Sequence, residues 1–97
     1  MIVLTSVVGV FNGIHTDPDS GVVHGHDYEV EAGWIGTSER YEVLQAKLDA
    51  LLAGIDHRPL PFWRAEEVAP WLMKMVGCDQ LKLNRPTIRH FVTVCAS

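Results

Sequence analysis

The sequence predicts an α+β fold in which two helices pack on one face of a four-stranded antiparallel sheet, in the order β-β-α-α-β-β. Three observations predict it. Residues 24–35 alternate, with His24, His26, Tyr28, Val30, Ala32 and Trp34 set against Asp27, Glu29 and Glu31, the period of a half-buried strand. Two later stretches repeat their apolar residues at helical spacing. The chain of 97 residues is 47% hydrophobic and 21% charged, which is one domain (1–97), too apolar for disorder. Two helices laid on one sheet face is the two-layer arrangement that buries all of these stripes.

Taken in order, residues 2–12 read as the first strand. Val3, Thr5, Val7 and Phe11 alternate with Ile2, Leu4, Val8 and Val10, so both faces of this strand are expected to be covered. Gly13 to Gly21 holds Thr16-Asp17-Pro18-Asp19-Ser20-Gly21 and predicts a turn-rich loop. The second strand follows over about 24–35. Tyr41, Leu44, Leu48, Leu51, Leu52 and Ile55 then form one helical stripe, with Thr37 or Ser38 placed to cap its start and Gly54 to end it. After Arg58-Pro59-Leu60-Pro61, a second helix carries Val68, Trp71, Leu72, Met75 and Val76 on its stripe. Glu66 and Glu67 suit its N-terminal end, Gly77 its stop, and Pro70 should distort or delay its first turns. Leu81-Lys82-Leu83 and Ile88–Val94 are the last two strands, joined through Asn84-Arg85-Pro86-Thr87.

Charge and cysteine usage narrow the function classes. Eight Lys and Arg against twelve Asp and Glu leave a formal net charge of −4, the wrong sign for a nucleic-acid footprint. The apolar opening, Met1 to Val10, is too short to span a bilayer and has no basic leader, so the expected compartment is the cytoplasm, with no membrane partner. Cys78 and Cys95 form no disulfide framework. A metal or an oligomer is the expected supplement to so small a core.

Histidine is the unusual component, with five in the chain. His24 and His26 are two apart on a strand, so both imidazoles leave one face, and Gly25 between them lets a ligand approach the backbone. His15 lies just past the first strand and reaches the same edge if the first two strands pair. Three neutral imidazoles with a fourth position open is the arrangement of catalytic zinc. The competing reading is a strand pair of histidines that only hydrogen-bonds locally. Asp56-His57, just after the first helix, fits a proton shuttle held by its carboxylate, or else a polar pair ending the helix. His90 reads as structural. Trp34, Trp63 and Trp71 read as packing residues, with Trp63 in a loop where it could border a pocket.

Phe11-Asn12-Gly13-Ile14-His15, then His24-Gly25-His26-Asp27-Tyr28, then Ile55-Asp56-His57-Arg58-Pro59-Leu60 together resemble the 6-pyruvoyl-tetrahydropterin synthase family, which includes the 6-carboxy-tetrahydropterin synthases of queuosine biosynthesis. The family carries F-x-x-x-H, H-G-H-x-Y and L-D-H-x-x-L segments in this order, and the similarity covers nearly the whole chain. The resemblance implies a tunnelling fold whose subunits join edge to edge into a β-barrel, commonly as a hexamer of two trimers. It implies zinc on His15, His24 and His26, a reduced pterin bound at a subunit interface, and His57 with Asp56 as the catalytic His and Asp.

The departures from the family pattern are as informative. The catalytic Cys, four positions before H-G-H, is Ser20 here, and serine is a far poorer base or nucleophile than a thiolate. The Glu that anchors the pterin is replaced by Asn84 or Arg85, depending on a one-residue gap. Of the P-T-x-E-N helix start, Trp63-Arg64-Ala65-Glu66-Glu67 keeps only Glu66. The expected function is therefore a zinc-dependent enzyme acting on a pterin-like or related small substrate by lyase or isomerase chemistry, but not by the standard family reaction. In that enzyme Ser20, Asp19 or Asp17 takes the part of the missing thiol, and Asn84, Arg85 and Glu66 face the substrate. The alternative is a non-catalytic, zinc-containing binding or assembly homologue with a degenerate site.

Overall fold

Two long strands organise the chain. The computed structural model describes residues 1–96, in which β1 (Leu4–Thr16) and β2 (Val23–Ile35) pair antiparallel along their whole length, from Leu4 opposite Ile35 to Thr16 opposite Val23. Next come α1 (Tyr41–Ile55), β3 (Arg58–Pro59), α2 (Ala65–Val76), β4 (Gln80–Arg85), a 3-10 turn at Pro86–Ile88 and β5 (His90–Cys95). The sheet order is β3-β1-β2-β4-β5. This is the expected α+β order with one correction. The sheet has five strands, not four, because the extended Arg58-Pro59 adds in parallel to β1 beside Gly13 and Ile14. Proline tolerates that place because β3 is a sheet edge.

The first strand also runs four residues beyond its expected end. Gly13 reads as the start of the turn-rich loop, yet it lies in the strand opposite His26. Its glycine answers a packing demand. A Cβ there would stand 2.7 Å from Leu60 Cδ1 and 2.8 Å from Tyr28 Cε2, closer than carbon atoms pack. The real turn is Asp17–Val22, closed by the Asp17 N–H donating to the Val22 carbonyl and by Gly21 in the left-handed region.

The core lies between the helices and one sheet face. Val7, Phe11, Tyr28, Val30, Ala32, Leu81 and Leu83 from the sheet meet Leu44, Leu48 and Leu52 of α1 and Val68, Ala69 and Leu72 of α2. Phe11 and Tyr28 stack with ring centres 5.0 Å apart. The other face departs from expectation: Val8 and Val10 are 46% and 71% exposed, so the chain by itself covers only one face of β1. His24, on the inward side of β2 by alternation, is likewise exposed, because the hairpin tip extends past the core.

The helix ends differ from their sequence signals in instructive ways. Arg40 is the N-cap of α1 with no side-chain cap bond, while Thr37 Oγ1 accepts from the Glu39 N–H and closes a turn before the helix. Tyr41 is exposed, off the core stripe. The helix continues through Gly54 and stops at Asp56, where backbone contacts to β1 redirect the chain. α2 begins at Ala65 and runs through Pro70, which it holds in its interior. Gly77 ends α2 as expected, in the left-handed conformation, with its N–H donating to the Met73 carbonyl.

Candidate functional site

The β1–β2 register assembles the histidines. His15 and His24 are direct cross-strand partners, and His26 lies two pairs along, opposite Gly13. Their ring centres are 4.7 Å (His15–His26), 5.9 Å (His15–His24) and 6.1 Å (His24–His26) apart. The structure thus brings together all three residues proposed as ligands. Among the described residues, however, no group of three or more His, Cys, Asp or Glu is arranged so that it could hold a metal ion.

His15 is only 3% exposed. Trp63, from the loop before α2, covers it with ring centres 4.2 Å apart. The Trp63 carbonyl accepts a hydrogen bond of 2.9 Å from His15 Nδ1–H. That assignment leaves Nε2 with a free lone pair, and Nε2 is buried without a hydrogen-bond partner. An orphaned, oriented imidazole nitrogen is what a metal ligand fixed by an outer carbonyl looks like. Burial lowers the pKa of both His15 and His26 below the ordinary histidine value, and Arg85 and the neighbouring rings push the same way, whereas the Trp63 carbonyl raises that of His15. Both are thereby biased to the neutral, ligating form.

The three histidines line a concavity of about 370 Å³ with Trp63, Glu66 and Arg85. Arg85 follows Leu81 and Leu83 on the inward side of β4, while Asn84 lies opposite Glu29 and Phe91 on the outer side and does not line this concavity. Of the two candidates left open by the one-residue gap, the structure therefore puts Arg85 beside the histidines. His90 Nδ1 accepts from Arg85 Nη2 at 2.8 Å, and His90 Nε2 lies 3.7 Å from Glu66 Oε1. Glu66 Oε2 in turn accepts from Arg64 Nη2 at 3.1 Å. His90, read from the sequence as structural, is the link that holds Arg85.

Asp56 and His57 do touch. Asp56 Oδ2 lies 3.0 Å from His57 Nδ1, and Asp56 Oδ1 accepts from the Asn12 backbone N–H at 2.7 Å. His57 adopts a left-handed backbone (φ 58°) and returns its own N–H to the Asn12 carbonyl. The Asn12 N–H, followed by His57, holds the Asp56 carboxyl below its ordinary pKa. Asn12, which also donates through Nδ2 to Asp27, is the site residue that the sequence reading passed over, although it stands inside the Phe11–His15 segment. The pair opens on a separate depression of about 450 Å³, bordered by Asn12, Asp27, Tyr28 and Glu29. Within one chain, the histidine trio and Asp56–His57 therefore belong to two concavities.

Ser20 lines neither. It sits in the exposed turn, where its Oγ accepts from the Val22 N–H, while Asp17 Oδ1 accepts from the Asp19 and Ser20 N–H groups. Cys78 is buried and Cys95 exposed, and both are free; burial pushes the Cys78 thiol up, away from reactivity.

No protein-family model and no curated protein matches the sequence. Solved structures do match the fold. The 6-pyruvoyl tetrahydropterin synthase of Caenorhabditis elegans superposes with a TM-score of 0.81 at 15% identity, covering 100% of this chain and 97% of that one. The Plasmodium falciparum enzyme gives 0.72 at 14% identity over 97% and 98% of the two chains. The Plasmodium vivax 6-pyruvoyltetrahydropterin synthase gives 0.72 at 13% identity over 98% and 99%. From end to end, the chain has the fold of the 6-pyruvoyl tetrahydropterin synthases.

Proposed function

We propose that this chain is a zinc-dependent enzyme of the tetrahydropterin-synthase type, acting on a pterin-like or related small substrate by lyase or isomerase chemistry other than the standard family reaction. The observation that carries this reading is His15, a buried imidazole anchored through Nδ1 to the Trp63 carbonyl, with Nε2 free beside His24 and His26. Three imidazole nitrogens and an open fourth position suit zinc. His15, buried and anchored, would hold the metal through Nε2, and the more exposed His24 and His26 would complete the set. Bound zinc would polarise a substrate carbonyl or hydroxyl and acidify the adjacent C–H or O–H.

The chain's own residues do the rest. Asp56 orients His57 through Nδ1, so that the imidazole can take and return a proton at Nε2. Because this pair opens on a different depression from the histidines, the reading sets His57 of one copy against the histidines of another. That fits an edge-to-edge barrel oligomer, a hexamer of two trimers, which also covers Val8 and Val10. Glu66 and Arg85 face the substrate, and Ser20 stays in its turn.

The test is a pair of measurements. The purified protein should hold one zinc per chain by elemental analysis, and the His15→Ala variant none. The zinc-loaded protein is then incubated with dihydroneopterin triphosphate and with other reduced pterins, and the products are read by mass spectrometry. Efficient formation of a 6-pyruvoyl or 6-carboxy product would sink the altered-reaction part of the reading.

The position of Ser20, outside both concavities, favours a second reading, a non-catalytic zinc-containing binding or assembly homologue. Turnover of any reduced pterin that is lost in His57→Ala, with zinc content and assembly kept, decides for the enzyme. Pterin binding without turnover decides for the homologue.

A further inference from the structure

The histidine concavity carries an excess of positive side chains. Two guanidinium groups, Arg64 and Arg85, line it against a single carboxylate, Glu66, in a chain whose net charge is −4. Glu66 is already engaged, accepting from Arg64 at 3.1 Å and facing His90 at 3.7 Å. Among the described residues, Arg85 therefore has no carboxylate of its own. Its Nη2 donates to His90 Nδ1, a neutral acceptor, and its Nε is buried with no hydrogen-bond partner. A buried cationic N–H without an acceptor is costly to leave unmade, and the group that best satisfies it is an oxyanion on the planar fork of the guanidinium. α2 also begins on this concavity at Ala65, with no side chain capping it, so the positive end of the helix adds to the same field. The volume, about 370 Å³, takes one small acid or one ring bearing an acidic group.

We propose that Arg85 is a specificity-determining residue that binds an oxyanion of the ligand, a carboxylate or a phosphate, in the histidine concavity, with His90 as the residue that positions it. This rests on the reading of that concavity as a ligand site, but not on zinc being bound there. It selects an acidic substrate over one recognised only by the guanidine-like edge of a neutral ring, because a guanidinium repels or leaves unmatched a group rich in N–H donors.

The experiment titrates the full chain, with and without added zinc, with benzoate, with inorganic phosphate and with uncharged 6-hydroxymethylpterin. Calorimetry reads affinity, and NMR reads the Arg85 Nε–H resonance, identified by its absence in Arg85→Lys. One of the anions is expected to shift that resonance. Arg85→Gln should weaken its binding by about tenfold or more, Arg85→Lys should keep part of it, and 6-hydroxymethylpterin should bind no worse in either variant. Preference for benzoate assigns a carboxylate, and preference for phosphate assigns a phosphate. The proposal is overturned if neither anion binds at roughly millimolar concentration, or if the resonance of the unmodified protein does not move. It is also overturned if a folded Arg85→Gln variant binds the anion as tightly as the parent. Arg85-dependent anion binding in a protein that takes no zinc would remove the zinc reading and keep this one; zinc binding with Arg85-independent anion affinity would do the reverse.

Discussion

The tip of the β1–β2 hairpin and the end of α1 both present histidine next to an oxygen acceptor, yet they are different kinds of place. At the tip, His15 is 3% exposed, capped by Trp63 and held by a backbone carbonyl that cannot move independently of the fold. At the end of α1, the side chains of His57 and Asp56 are 75% and 41% exposed. Their contact is made by two neighbours in sequence, steadied by Asn12. The first place holds its imidazole preorganised and shielded from water. The second is wet, and its hydrogen bond is worth little until another surface excludes water from it. Two similar dipoles of sequence thus acquire different chemistry from the depth at which the fold sets them.

Substituting the two histidines is the sharpest way to break the comparison. His15→Ala should lower zinc affinity by about a hundredfold or more, while His57→Ala leaves it unchanged; competition with a chromophoric chelator reads both. Equal losses would mean that the two places form one site. Gly13→Ala tests the packing that brings the hairpin tip under Leu60 and Tyr28. The added Cβ should cost about 1–3 kcal/mol in urea unfolding, with Tyr28 the neighbour least able to yield.

Acid should separate the two regions by pH. His15 and His26 titrate in the folded chain below the ordinary value of 6.5. The unfolded chain therefore binds protons first as pH falls below 6.5. Stability of the zinc-free protein is whole above that pH and declines below it, down to the lowered values, which melting curves at pH 7.5 and 5.5 would show. Asp56 acts further into acid. Its depressed folded pKa contributes stability that is present above the ordinary carboxylate range and lost as pH falls through the folded value. Asp56→Asn should flatten that limb only slightly, because the group is exposed and Asp17, held low by the Asp19 N–H, remains.

Much of this molecule was legible before folding. The alternation in 24–35 gave the inward line of Tyr28, Val30 and Ala32, and the helical stripe of Leu44, Leu48 and Leu52 is the buried face of α1. The His-x-His spacing placed two imidazoles on one side of β2. Other features escaped because their cause lies elsewhere in the chain. Gly13 looks like a turn residue because a glycine needed for close approach and one needed for backbone freedom are the same letter. Thr37 looks like a cap, but it closes its own turn. Gly54 looks like a stop, but the stop is set by Asn12, reached from α1 across 44 positions through Asp56.

What the sequence determined by itself is the element order, the apolar faces and the supply of imidazoles, since periodicity and residue type are local properties. Only the tertiary structure decided that Trp63 covers His15 and orphans its Nε2, that Arg85 and not Asn84 faces the histidines, and that Asp56–His57 opens elsewhere. Burial and hydrogen-bond satisfaction depend on which distant atoms arrive at a point, and no spacing within a strand or helix encodes that.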